Sequence, residues 1–203
     1  MSKVIFLTGT SAVGKTEFLE ERARTTNNLC CNLTAREVRA LLGNPPWTRM
    51  MEDADYMLAV QTATLMFFER YILTVLTNEH QFNTPQKRSI MFDRSLSDVL
   101  AYTYAYICTY THTNTIDRVE AHIGLKKQEQ YVQEANNRIF YQCVERGYTP
   151  VVVHFPIDSN IPYKDDPARP PEYVRNYSAS YIKNNYAKLN DKFFADEKSN
   201  YFK

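Results

Sequence analysis

Gly9-Thr10-Ser11-Ala12-Val13-Gly14-Lys15-Thr16 follows directly on the apolar run Val4-Ile5-Phe6-Leu7 and leads into Glu17-Phe18-Leu19-Glu20-Glu21-Arg22. The first run reads as a buried strand, the last as a helix, and the residues between as a glycine-bounded loop of pattern G-x-x-x-x-G-K-T. A polyphosphate needs several N–H donors converging on it, and glycines let a backbone turn inward without a Cβ clash. The helix that follows adds its positive N-terminal end. On this reading Gly9, Ser11, Ala12, Val13 and Gly14 frame a nucleoside triphosphate site. Lys15 reaches the terminal phosphates and the Thr16 hydroxyl holds Mg²⁺. The pattern leaves the fate of the phosphate open: water as acceptor makes an NTPase or switch, a hydroxyl or phosphate makes a kinase.

With 203 residues the chain suits one α/β domain spanning 1–203. Its 24 basic and 23 acidic side chains cancel, so no overall field points to nucleic acid or a membrane. Cys30, Cys31, Cys108 and Cys143 form no C-x-x-C pair and have no histidine at zinc spacing, which argues against a zinc site. The N-terminus has no signal-peptide pattern and no apolar run reaches membrane-spanning length, so a soluble, reduced, cytoplasmic protein is expected. The 15 tyrosines and 11 phenylalanines suit stacking of flat ligands, but core packing is the more common use.

Strands are expected over 3–8, 29–33, 89–92 and 149–155, with helices over 16–25, 35–42, 52–78, 126–146 and 172–190. A further helix continues from Asp98-Val99-Leu100-Ala101-Tyr102, and 104–120 reads as its end and a loop. Gly43-Asn44-Pro45-Pro46 stops the second helix and places Trp47 and Arg49 on a loop at the C-terminal side of the sheet, where open α/β folds bind ligands. Alternating strands and helices predict a mostly parallel sheet covered on both faces, a three-layer sandwich.

Asp93-Arg94-Ser95 closes the third strand. A carboxylate there can meet the Mg²⁺–phosphate cluster or accept a proton from an attacking hydroxyl, and Arg94 offers a fork for phosphate. The competing reading is an Asp that caps the following helix. A third element lies at 158–176, where Arg169 and Arg175 flank a Pro-rich turn. Arginines on such a lid can neutralise charge on a transferring phosphoryl group.

Together, the phosphate loop, Phe92-Asp93-Arg94-Ser95-Leu96-Ser97-Asp98 and the Asp165-Asp166…Arg169…Arg175 segment resemble the P-loop nucleoside and nucleotide kinases. The similarity is to the branch holding ribosylnicotinamide kinase domains and related AAA-type bacterial and phage ATPases, near deoxynucleoside and thymidylate kinases. The resemblance implies a P-loop NTPase sandwich of nucleoside-monophosphate-kinase type, with ATP and Mg²⁺ as cofactors. It implies Lys15 and Thr16 as phosphate and metal ligands and Asp93 at the metal and acceptor. It further implies Arg94 on the acceptor, and Arg169 and Arg175 in the lid. Such kinases often carry a carboxylate after strand two, and Asn32-Leu33-Thr34-Ala35-Arg36 has none. Asp93, Glu37 and Asp53 therefore all stand as candidate bases.

The acceptor pocket is expected between strand two, the Trp47 loop and the long helix. There Gln61 can read a base edge, with Trp47, Tyr56 and Phe68 as stacking candidates. The expected activity is transfer of the ATP γ-phosphoryl group to a nucleoside, nucleotide or similar acceptor. Alternatives are a hydroxymethylpyrimidine in phage DNA, served by a groove of the tyrosines at 102–113 with Lys126-Lys127, or a non-kinase regulatory NTPase. Homodimerisation through the long helix is a further expectation.

Overall fold

The computed structural model describes residues 2–11, 13–33, 35–81, 88–113, 118–157, 163 and 171–197. In them β1 (Lys3–Thr8), β2 (Leu29–Cys31), β3 (Ile90–Phe92), β4 (Thr149–His154) and β5 (Phe194–Glu197) form one sheet of order β2-β3-β1-β4-β5. Every pairing is parallel. The helices are α1 (Lys15–Thr25), α2 (Ala35–Leu41), α3 (Trp47–Glu52), α4 (Ala54–Gln81), α5 (Leu96–Thr113), α6 (Arg118–Glu145) and α7 (Glu172–Leu189).

The alternation of β1 builds the two faces, because successive strand side chains point to opposite sides. Val4 and Phe6 join Ile90, Phe92 and Val152 in a core closed by α4, α5, α6 and α7. Ile5 and Leu7 join Met91, Val151 and Val153 under Phe18 and Leu19 of α1. The result is an α/β sandwich of three layers. Phe6 stacks on Phe92 at 5.3 Å and on Phe193 at 5.2 Å, fixing the central strand against its neighbour and the turn before β5. Gln128 of α6 joins three helices: it accepts from the Thr103 hydroxyl at 2.8 Å and donates to Leu58 O and Thr62 Oγ1 of α4.

Four local expectations change. Trp47 and Arg49 lie on the short helix α3, whose N-cap is Pro46, where the missing N–H costs no helical hydrogen bond. The 104–120 stretch is helical through Thr113, and α6 begins at Arg118, because Ala105, Tyr106 and Ile107 supply a buried face that the Thr/Tyr alternation hides. β2 ends at Cys31, short of Leu33. Phe194–Glu197, expected as tail, pairs with β4 as the edge strand.

Register decides where the chemistry sits. β1 and β4 run level from Lys3↔Thr149 to Thr8↔His154, while β3 pairs Phe6↔Phe92. The residues leaving β1, β3 and β4, namely Gly9, Asp93 and Phe155, therefore emerge together at the C-terminal edge. β1 lies at the centre, with chain connections departing to either side, where open α/β sheets form their ligand crevice.

Candidate active site

The loop after β1 begins with a residue that only glycine fits. Gly9 has φ 151°, and a Cβ there would lie 2.5 Å from the Phe155 carbonyl oxygen. That oxygen belongs to backbone tied down by the Phe155 N–H, which donates to Thr8 O at 2.7 Å. Gly14, the N-cap of α1, has φ 82°. Beyond its chain neighbours no described atom comes within 4 Å of a Cβ built on it. α1 has no side-chain cap, so its first N–H groups lack an intrahelical acceptor.

Lys15 is buried, and its Nζ donates to Gly9 O and, at 2.8 Å, to Thr10 O. Burial lowers its pKa, against the raising influence of Asp98. The Thr16 hydroxyl donates to Asp93 Oδ2 at 3.1 Å. Asp93 is 2% exposed, and its Oδ1 is buried without a hydrogen-bond partner among the described residues. Burial raises the Asp93 pKa, while Arg94 and Lys15 pull it down. Half-buried Arg94 keeps its charge, because Asp93, Tyr102 and Asp98 outweigh the desolvation that would lower it.

Two side chains of α5 complete the loop: Asp98, which carried no expected role, and Tyr102, expected in a stacking groove. Asp98 Oδ1 accepts from the Thr8 hydroxyl at 2.6 Å and from the Gly9 N–H at 3.0 Å. The Tyr102 phenol oxygen accepts the Ser11 N–H at 3.0 Å and lies 3.4 Å from Thr10 Oγ1. Their spacing of one helical turn was legible as a shared face, but a face names no partner.

The structure thus brings Gly9, Ser11, Val13, Gly14, Lys15, Thr16, Asp93 and Arg94 to one place. Arg175 joins them as well: it is 3% exposed and its Nε donates to Ser11 O at 3.1 Å. Its guanidinium also lies 5.3 Å from the Tyr163 ring centre. Ala12, Arg169 and the rest of 158–170 except Tyr163 lie outside the described residues.

Trp47 and Gln61 are not joined to this group. The Trp47 ring carries the Arg39 guanidinium at 3.7 Å and packs on Tyr106 at 6.0 Å. Gln61 is buried on the inner side of α4, and Phe68 is core. Tyr56 lies under Arg49 at 3.8 Å. Asp53 Oδ1 caps α4 by accepting the Tyr56 N–H, and Glu37 is exposed on α2. Among the three candidate bases, Asp93 alone is placed beside Thr16 and Lys15. Tyr102 and Tyr106 are buried and Tyr104 packs on Tyr181, so these tyrosines of the expected stacking groove are part of the core.

No known protein-family model matches the chain, and a search of curated proteins finds no match either. Functional assignment therefore rests on the site itself.

Among the described residues no three His, Cys, Asp or Glu side chains cluster as metal ligands. Mg²⁺ needs no such cage, since it retains waters and uses one or two carboxylates plus substrate phosphates. Thr16 and Asp93, with Oδ1 of the latter unsatisfied, fit that donor set. No described helix is long and apolar enough to cross a membrane. A groove of about 750 Å³ between α4 and α6 is lined by residues such as Met66, Phe67, Arg70 and Tyr131 and lies apart from the loop.

Proposed function

We propose that the chain is a P-loop phosphotransferase of nucleoside-monophosphate-kinase type that moves the γ-phosphoryl group of ATP to a nucleoside, nucleotide or related acceptor. The observation that carries this reading is the Thr16–Asp93 hydrogen bond beside Lys15, which joins the end of β3 to the loop after β1. Phosphoryl transfer asks for positioned donors and charge neutralisation and little covalent chemistry. The uncapped amides at the start of α1 would supply donors to the phosphates. Lys15 would exchange the carbonyls of Gly9 and Thr10 for phosphate oxygens. Mg²⁺, held by Thr16 and Asp93, would supply charge neutralisation at the phosphates when bound.

A buried carboxylate with a raised pKa is suited to taking a proton from an acceptor hydroxyl, which gives Asp93 a second role at the same position. Arg94, adjacent and charged, would orient an anionic or hydroxylated acceptor.

The test is incubation of the full chain with Mg²⁺, γ-labelled ATP and separate pools of nucleosides, nucleotides and hydroxymethylated duplex DNA. Label on an acceptor from one pool is the expected result. Slow label release to water that no pool stimulates would replace the kinase with a regulatory NTPase.

A further inference from the structure

Ser11 is held on both sides of its backbone. Its N–H donates to the Tyr102 phenol of α5 at 3.0 Å, and its carbonyl accepts from Arg175 Nε of α7 at 3.1 Å. Thr10 beside it is 1% exposed, and its hydroxyl lies 2.7 Å from Ser178 Oγ, 3.3 Å from Arg175 O and 3.4 Å from the Tyr102 oxygen. Gly9 is fastened in turn by Asp98, one turn before Tyr102 on α5. The first half of the loop is therefore bound to two helices, while in the second half no described atom comes within 4 Å of a Cβ built on Gly14.

This division has a consequence for ligand binding. A loop N–H spent on a side chain does not point at a phosphate, and a backbone fixed in advance loses less freedom on binding. We infer that Tyr102 is a positioning residue of the phosphate loop: by holding the Ser11 N–H, it fixes the first half of the loop and leaves residues 13–16 to receive the phosphates. The inference rests on the phosphate-binding role of the loop proposed above, but not on the identity of the nucleotide or acceptor.

The surroundings of the Tyr102 oxygen are consistent with this. Burial alone would raise its pKa, yet Arg94, the bonds from Ser11 and Thr10, and Lys15 together bring it below the ordinary phenol value. The next turn of α5 places Tyr106 against Trp47, the only tryptophan of the chain, so the same helix face runs from the loop to α3.

Tyr102→Phe keeps the ring and removes the oxygen. The control is Tyr104→Phe, the same deletion two residues along α5, where the ring packs on Tyr181. Titrating Mg²⁺–tripolyphosphate, followed by Trp47 fluorescence and calorimetry, should show affinity lowered about tenfold in Tyr102→Phe and unchanged in Tyr104→Phe. If the chain turns over an acceptor, kcat at saturating ATP should stay within about threefold while KM for ATP rises by the same tenfold.

In the ligand-free wild type, the Ser11 amide should exchange its hydrogen slowly, and in Tyr102→Phe at least about tenfold faster, with Gly9 still protected. Equal tripolyphosphate affinity in Tyr102→Phe and wild type overturns the inference. An unprotected Ser11 amide in the wild type also overturns it, whether or not the variant folds. If the wild type binds tripolyphosphate but not MgATP, the kinase reading falls and Tyr102 is judged on tripolyphosphate alone. If it binds neither, both fall.

Discussion

Replacing Gly9 by alanine tests how tightly the phosphate loop is built into the sheet. The new Cβ would sit 2.5 Å from the Phe155 carbonyl oxygen and 3.2 Å from both Phe155 Cβ and Val13 Cγ2. The oxygen cannot withdraw freely, because the Phe155 N–H is bonded to Thr8 O as the continuation of the β1–β4 pairing. Overpacking of this kind costs roughly 1–3 kcal/mol. A φ of 151° is glycine territory and adds roughly 1–3 kcal/mol of backbone strain for any other residue. The sum, about 2–6 kcal/mol, is a large part of the stability of an ordinary domain. For a chain of this size it lowers Tm by roughly 5–20 °C. Calorimetric or circular-dichroism melting measures it directly. Gly14→Ala is the internal comparison: its φ is also positive but no described atom crowds the Cβ, so strain of about 1–2 kcal/mol acts alone. A Gly9→Ala protein that melts within about 2 °C of wild type, or above Gly14→Ala, would refute the reasoning.

Asp93→Asn should lower acceptor labelling at least about 100-fold. It also has a signature in stability. Burial holds the Asp93 pKa above its ordinary 3.8, so the native state binds the proton more tightly than the unfolded chain. The stability tied to that group is full below 3.8 and is lost as pH rises through the native value. Urea denaturation across that window should show wild type losing ground to Asp93→Asn as pH rises, and a constant difference contradicts the assignment. Gln128→Ala should cost about 2–3 kcal/mol, because it leaves the buried Thr103 hydroxyl only its long 3.5 Å bond to Val99 O and unlinks α6 from α4. A loss below about 0.5 kcal/mol in denaturant melts would show that the three-helix junction is not held by this side chain.

The central strand, the loop and α1 were legible because their information is local. An apolar run, two glycines and a helix-forming segment stand in sequence. Asp93-Arg94 was legible for the same reason, as charge abruptly following Ile90-Met91-Phe92. The partners of the loop were not. Asp98, Tyr102 and Ser178 reach it from α5 and α7, across about 90 to 168 positions of chain, and nothing local marks a Tyr oxygen as the acceptor for a loop amide. Trp47 misled because Pro45-Pro46 ends one helix while starting the next: proline breaks a helix interior but suits its first turn. β5 was hidden by composition, since Asp196 and Glu197 are poor strand formers and only pairing to β4 makes them one. Gln61 read as an amide of the long helix; that it is buried follows from how α4 packs, which helical spacing alone does not orient.

The central claim is that the loop from Gly9 to Thr16 binds the phosphates of a nucleoside triphosphate through Lys15. Calorimetric titration of MgATP into wild type and Lys15→Ala tests it most directly. Saturable binding by the wild type, weakened at least about 100-fold in a Lys15→Ala protein that melts normally, is the predicted result. Equal affinity in the two proteins, or no binding by the wild type, would contradict it.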